Sequence, residues 1–551
     1  MQRAICALCL MVFWSTLYGV SMSPELKARL KAEDGFEQIV EILKEAKSKG
    51  VDAPNPAPFK ATPGRVDTIK AIAILVDFSD NVGTAPVAHF DSVLSSVGCY
   101  AAGSMRDYYF EVSYGSVEMI TTVVGWFRMP QLYSYYTNNN YGFGSYPMNA
   151  QKMTEDAVWA ADPTVDFSQF DNDNDGYVDA LFVVHAGQGA EVTGNPNHIW
   201  SHAWVTFNVP YVDGVYAYRY STEPEDGRVG VFSHEAGHAI FGLPDLYDYD
   251  YDSEGLGAWS LMAGGSWNMN GYSPAHMDAY CKIMSGFVEP QVVTSNQDGV
   301  IIPNVTYNPV IYKLWSEGLP GTQYFLVENR ILSGFDSHLP WPGLMIYHVD
   351  ETMPHNNWQW YPGYTGYGHY KVALEQSDGY WELERNMNSG NYGDPYPGAM
   401  PPHYAFNDTT VPDSKDYTFA ATHVAVDNIS VAGDTMTADF KVFPTGIKEI
   451  IESAAAGIRL QVTPAVGAGV FVFEISYGVT YDHASARIDI YDAAGRAIRS
   501  FPQLRGENIT WRGDDRNGQR VAPGVYFVRL ESEGPGGSDA LTRTHKIVFV
   551  R

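Results

Sequence analysis

The segment SHEAGHAIFGLPDLYD, which begins at Ser233, restricts the possible folds of this 551-residue chain more than any other stretch. His234 and His238 are four residues apart, which on an α-helix brings both imidazoles within about 40° of one another on one face, so both can reach one metal ion. Glu235 follows the first histidine and can stay off the metal. Its carboxylate is then placed to take a proton from a water beside the ion. The pattern H-E-x-x-H predicts a zinc helix with Glu235 as general base, and leaves the third ligand to be supplied from elsewhere.

The spacing after the second histidine departs from the form H-E-x-x-H-x-x-G. Ala239, Ile240 and Phe241 intervene, so the glycine is Gly242, in fourth place rather than third. One added residue in a regular helix moves its exit by about 1.5 Å and turns it by about 100°. A one-residue π-bulge between His238 and Gly242 absorbs such an insertion. Gly242 would then end the helix in the left-handed conformation, with Pro244 barring its continuation.

Composition narrows the class. Hydrophobic residues make up 45% of the chain and charged residues 18%, which gives ample material for buried cores. A net charge of -29 argues against nucleic acid or an anionic membrane surface as partner, and suits an exported protein that binds cations. The opening MQRAICALCLMVFWSTLYGV, with Arg3, an apolar run and small residues near Gly19 and Ser21, reads as a signal peptide at 1–20; no segment is long and apolar enough to span a bilayer. Cys6 and Cys9 leave with it. Cys99 and Cys281 remain, enough for one disulfide but not for a framework.

Residues 21–65 are charged and helix-forming, then proline-rich, and read as a pro-segment and linker. This pro-segment has no cysteine to place on the zinc, which leaves a carboxylate or steric blockage as the means of latency. The run IKAIAILVDFSD then opens a mixed sheet, and 66–289 reads as an α+β catalytic domain. At 290–443 short alternating strands such as YFLVENR and GLMIYHVDE predict a β-rich companion domain; a linker at 444–456 leads to a last all-β unit at 457–551.

The stretches GLPDLYD, WSLMAGGSW from Trp259 and GSMRDYYFEVSYG from Gly103 resemble the immune inhibitor A family of secreted bacterial metalloproteases, a likeness that runs from about Ile69 to Val442. The resemblance implies a zinc endopeptidase with a zincin-like fold, His234, His238 and Asp245 as ligands, and Met262 in a methionine turn beneath the metal. The family pattern places the aspartate sixth after the second histidine. Here Asp245 is seventh. In thermolysin-like enzymes a downstream glutamate completes the site, and Glu254 is the candidate here, although the glycines of DSEGLGAWS favour a loop over the helix such a ligand needs. Asp248 and Asp250 are further candidates that read more simply as loop charge.

A second metal signal is FDNDNDGYVDA from Phe170. Asp171, Asp173, Asp175 and Asp179 offer hard oxygen ligands at alternate positions, with the Tyr177 carbonyl as a further one, and predict a calcium loop. The loop departs from an EF-hand because its twelfth position is Phe182. His185, His198 and His202 lack ligand spacing to the zinc helix and read as structural. The C-terminal unit resembles immunoglobulin-like domains of the flagellar hook-capping type and the sorting domains of exported bacterial proteins, with Trp511 and Tyr526 as core aromatics.

The sequence therefore predicts a multidomain, monomeric, exported zinc endopeptidase with Zn2+ and Ca2+ as cofactors and protein or peptide substrates. Its α+β zincin-like domain is followed by all-β sandwich domains. The rival reading is a surface-binding or adhesive protein whose zinc is structural, and an intact Glu235 argues against it.

Overall fold

A computed structural model describes residues 20–443, apart from 34–35, 53–54, 101, 365, 367 and 400, together with most of 458–549. The signal-peptide run to residue 19 and the linker at 444–456 lie outside the described residues. Two compact units make up the chain, Met1–Pro444 and Thr445–Arg551.

The first unit opens with helices α1 (Pro24–Ala32) and α2 (Phe36–Ser48). Ser23 caps α1 by accepting from Leu26 N, and Pro24 starts it, where a missing N–H costs nothing. Helix α2 turns Ile39, Val40, Leu43 and Ala46 inward, at the spacing of one helical face. The central sheet has the order β2-β1-β3-β7-β4. Its strands are β1 (Asp67–Asp77), β2 (Val117–Arg128), β3 (Leu181–His185), β4 (His202–Val205) and β7 (Arg219–Pro224), and a small hairpin of β5 (Tyr211–Val212) and β6 (Val215–Tyr216) stands apart. Strand β1 is parallel to β2 and β3, and β3 to β7, whereas edge strand β4 is antiparallel to β7. Ala71 to Val76 are all buried, as expected of a parallel strand covered on both faces. The covering helices are α3 (Val87–Ser95), α4 (Met105–Val112), α5 (Tyr133–Thr137), α6 (Ala150–Ala161), the short α7 (Ala190–Thr193) and α8 (Val229–Ala239), the last of which is buried along its whole length.

The β-rich region differs from its expected alternation. Strands Gln323–Arg330 and Gly343–Asp350 are buried at nearly every position. Phe325, Val327, Leu344 and Ile346 pack with a second sheet built from Gln297–Pro303, Ala425–Asp427 and Thr435–Lys441, while Leu326, Met345, Tyr347 and Val349 join the core of the catalytic region. A sheet sandwiched in this way needs apolar residues on both faces. The alternating pattern appears instead in Thr435–Lys441, whose outer face meets solvent.

A buried ion network lies where the two regions meet. Arg330 donates to both Asp336 oxygens at 2.6 Å, to Glu328 at 3.1 Å and to the Trp259 carbonyl at 3.1 Å, and Lys282 reaches the other Glu328 oxygen at 3.2 Å. In the second unit a three-stranded and a five-stranded sheet surround a core that includes Phe471, Ile490, Trp511, Tyr526 and Phe549. Trp511 and Tyr526 are thus packing residues there.

Candidate metal centre

Helix α8 ends without a bulge. Ile240 N bonds Ala236 O and Gly242 N bonds His238 O, both at ordinary α-helical spacing, and Leu243 N then folds back to Gly237 O at 3.0 Å. Gly242 has φ of 64°, the left-handed cap that a side chain would strain. Helix α8 itself ends at Ala239, and the extra residue is taken up in the turn after it, where Phe241 N makes no backbone bond and Leu243 N reaches six residues back to the helix. The expected π-bulge between His238 and Gly242 shows no i to i+5 bond, but the regular ladder does break there, at Phe241 N.

That turn carries Asp245 to the histidines. Its Oδ1 lies 3.0 Å from His234 Nε2 and 3.1 Å from His238 Nε2, and the two Nε2 atoms are 3.1 Å apart. Each ring is fixed from behind: His234 Nδ1 donates to the Leu261 carbonyl at 2.9 Å and His238 Nδ1 to the Leu243 carbonyl at 2.8 Å. A carbonyl only accepts, so the proton of each neutral imidazole sits on Nδ1 and both Nε2 lone pairs point to the same place. Three acceptors that close repel one another unless a cation stands between them. Tetrahedral zinc with ligand bonds of about 2.0–2.1 Å sets its ligand atoms about 3.3 Å apart, so this donor set fits zinc. All three residues are buried, and Asp245 Oδ2 has no hydrogen-bond partner.

Gly237 faces Met262. A Cβ at that glycine would stand 2.8 Å from the Met262 sulfur, so the methionine packs directly against the helix between the two histidines. Glu254 is not part of the cluster; it receives Lys27 Nζ at 2.8 Å. Asp248 accepts from Ser253, and Asp250 pairs with Lys44 at 3.3 Å.

Glu235 is fully buried and already has a visitor. Its Oε1 accepts the backbone N–H of Val20 at 2.7 Å, and its Oε2 has no partner. Residues 20–22 lie there as an extended peptide held by its backbone: Trp200 Nε1 donates to Val20 O at 3.0 Å, Trp267 Nε1 to Ser21 O at 2.8 Å, and Met22 N to the Tyr251 hydroxyl at 3.1 Å. After α2, Asp52 N bonds Ala203 O at 2.6 Å, and the Asp52 carboxylate accepts from Ala203 N, so the edge of β4 is engaged as well. Lys47 pairs with Asp52 at 2.9 Å, both buried. Burial raises the Glu235 carboxyl well above the usual range, with the charges of Asp52 and Glu223 adding to it. The sequence reading did not single out Val20, Asp52, Trp200 or Trp267. Their contacts run largely through backbone, which leaves little signature in side-chain identity.

The aspartate loop is arranged differently. Asp171, Asp173 and Asp179 come together within 4.8 Å. Asp175 is outside that group, and its Oδ1 accepts Tyr177 N at 2.9 Å. Asp171 accepts Asp175 N at 3.1 Å and Gly176 N at 3.0 Å, and the Tyr177 ring is exposed. His185 and His202 are buried, and each bonds a backbone carbonyl and a tyrosine hydroxyl. Burial pushes them down to about 4 and about 3 respectively. Among the described residues Cys99 is exposed and Cys281 buried, and both are free.

Residues 87–288, which contain this centre, match the family model of the immune inhibitor A peptidase M6 catalytic domain. The chain is 32% identical over 295 residues to immune inhibitor A of Bacillus thuringiensis subsp. alesti, a match that covers 42% of this chain and 42% of that protein. It is 31% identical over 304 residues to the pre-pro-metalloprotease PrtV of Vibrio cholerae, covering 45% of this chain and 33% of the relative. The matches thus span less than half the length of either relative. Among solved structures, catalytically inactive OgpA from Akkermansia muciniphila aligns over 89% of this chain at 10% identity with a TM-score of 0.20, a level at which no common fold follows.

Proposed function

We propose that the chain is an exported zinc endopeptidase held latent by its own N-terminal segment. The convergence of His234 Nε2, His238 Nε2 and Asp245 Oδ1 within 3.1 Å, with both Nδ1 atoms engaged from behind, carries this reading. The matched family segment and the two relatives support it. The mixed sheet with an antiparallel edge strand beside the metal helix supports a zincin-like layout.

Zinc held by these three residues would polarise a peptide carbonyl and lower the pKa of water beside it. Glu235 takes a proton from the attacking water and delivers it to the leaving amine. Its buried position raises its proton affinity, which suits a group that must hold the proton between the two steps. An extended protein substrate would pair with the edge of β4, where Asp52 pairs now, and would need the Val20 amide gone from Glu235. Latency then rests on the strand edge that Asp52 of the pro-segment occupies; the Val20 amide on Glu235 belongs to the 1–20 run and leaves with it when the signal peptide is removed.

Calcium at Asp171, Asp173 and Asp179, with Asp175 and the Tyr177 carbonyl turned inward, would be a stabilising site away from the chemistry. The unit at 457–551 is read as an immunoglobulin-like sorting or binding domain, and the protein as a monomer. Among the described residues no helix is long and apolar enough to cross a membrane. The rival, an adhesive protein with structural zinc, leaves unexplained why a fully buried glutamate keeps an oxygen without a partner beside the ligands.

Digestion of a peptide library by the matured protein tests the proposal. Cleavage that a zinc chelator abolishes and added zinc restores is the expected result; no cleavage by zinc-loaded protein would favour the rival.

A further inference from the structure

Away from the zinc helix, Asp378, Glu382 and Asp394 bring one carboxylate oxygen each within 4.8 Å of one another. Donors satisfy one side of every group. Asp378 Oδ1 accepts Tyr380 N at 3.0 Å, Glu382 Oε2 accepts Asn391 Nδ2, and Asp394 Oδ2 accepts Trp259 Nε1 at 3.0 Å and Asn391 N at 2.9 Å. The second oxygen of Asp394 is different. Asp394 is 0% exposed, and its Oδ1 is buried without any hydrogen-bond partner. A buried carboxylate oxygen without a hydrogen-bond donor costs several kcal/mol unless a cation meets it. Among the described residues no lysine or arginine forms an ion pair with any of the three acids. In the other acidic clusters backbone amides cover Asp171, and Lys44 pairs with Asp250 Oδ2, although Asp250 Oδ1 is likewise buried without a partner.

We propose that Asp378, Glu382 and Asp394 form a calcium site that fastens the loop 376–398 to the segment carrying the methionine turn. Oxygen donors of three carboxylates select a hard divalent cation, and calcium accepts irregular coordination where magnesium demands a near-octahedron. The surroundings hold the acids in place. A Cβ at Gly393 would stand 2.0 Å from Asp378 Oδ2, so only glycine lets that carboxylate sit where it does. The loop meets the methionine segment through the Trp259 indole and through Ala258 N, which donates to Ser389 O at 2.6 Å. Trp259 precedes Met262 by three residues. A cation here removes the repulsion that would otherwise loosen this contact.

The Trp259 indole on Asp394 makes the site readable by terbium, a calcium substitute whose emission is sensitised by a nearby tryptophan. The test uses the full chain carrying Glu235→Gln and Asp173→Ala, so that hydrolysis and the aspartate loop are silent, after treatment with a calcium-selective chelator. Terbium should give saturable emission that calcium displaces, and calcium alone should raise the melting temperature. Asp378→Asn and, separately, the partly exposed Glu382→Gln should each weaken terbium binding by about tenfold or more. Trp259→Phe should dim the emission while leaving the calcium-dependent rise in melting temperature. Absence of binding in the parent background, titrations unchanged in a folded Asp378→Asn or Glu382→Gln protein, or a signal abolished by Asp250→Asn instead, would overturn the site.

Discussion

The centre at His234, His238 and Asp245 and the loop at 171–179 are both clusters of metal-binding side chains, but they treat their spare lone pairs in opposite ways. In the first, backbone carbonyls restrain the outer nitrogen of each ring, so the inner nitrogens and Asp245 have only each other. In the second, backbone amides of the loop itself satisfy Asp171, Asp173 and Asp175. The buried centre is costly without its ion and is rigidly prepared for it. The exposed loop closes on itself and gains from an ion only by increments.

This difference predicts a descending series of effects. Glu235→Gln in the matured enzyme should leave zinc content unchanged and lower peptide hydrolysis by about 10²–10⁴-fold, whereas Asp171→Asn should leave the rate within about twofold; steady-state assays with metal analysis check both. A loss under tenfold for Glu235→Gln would remove it as the base. Next, Asp245→Ala should weaken zinc retention by about 10–100-fold on dialysis against a weak chelator, while Glu254→Ala, which loses only the pair with Lys27, should retain zinc normally. The reverse pattern would restore the thermolysin-like arrangement. Third, Gly237→Ala should destabilise by about 1–3 kcal/mol in denaturant unfolding, because its Cβ would press on the Met262 sulfur at 2.8 Å.

The smallest effect belongs to the loop. Burial pushes Asp179 up to about 6, with the charges of Asp173 and Asp175 adding to it. A carboxyl whose folded pKa is raised binds its proton more tightly when folded. Without calcium, therefore, stability should increase as pH falls through about 6 toward 4, by less than about 1 kcal/mol given the partial exposure of the group. Calcium should abolish that slope, and Asp173→Ala should remove the calcium effect; melting curves at several pH values, with and without calcium, check this.

The parts of the site that follow local spacing were legible in the sequence. The histidines and the glutamate are fixed by helical period alone, and Asp171, Asp173 and Asp179 by their nearness in the chain. The route by which Asp245 arrives was not, because it depends on Leu243 folding back to Gly237, a tertiary closure with no residue pattern of its own. The same holds for Val20 on Glu235, more than two hundred residues apart in sequence and joined through a backbone amide. In the β-rich region, unbroken apolar runs such as FLV and GLMIY recorded a sheet covered on both faces, a sign that an alternating reading overlooks.

Anomalous scattering at the zinc edge from crystals of the full chain tests the central claim most directly. One strong peak is expected, bonded to His234 Nε2, His238 Nε2 and an Asp245 carboxylate oxygen at about 2.0–2.2 Å. A peak that includes Glu254 in place of Asp245, or one lying away from both histidines, would contradict it.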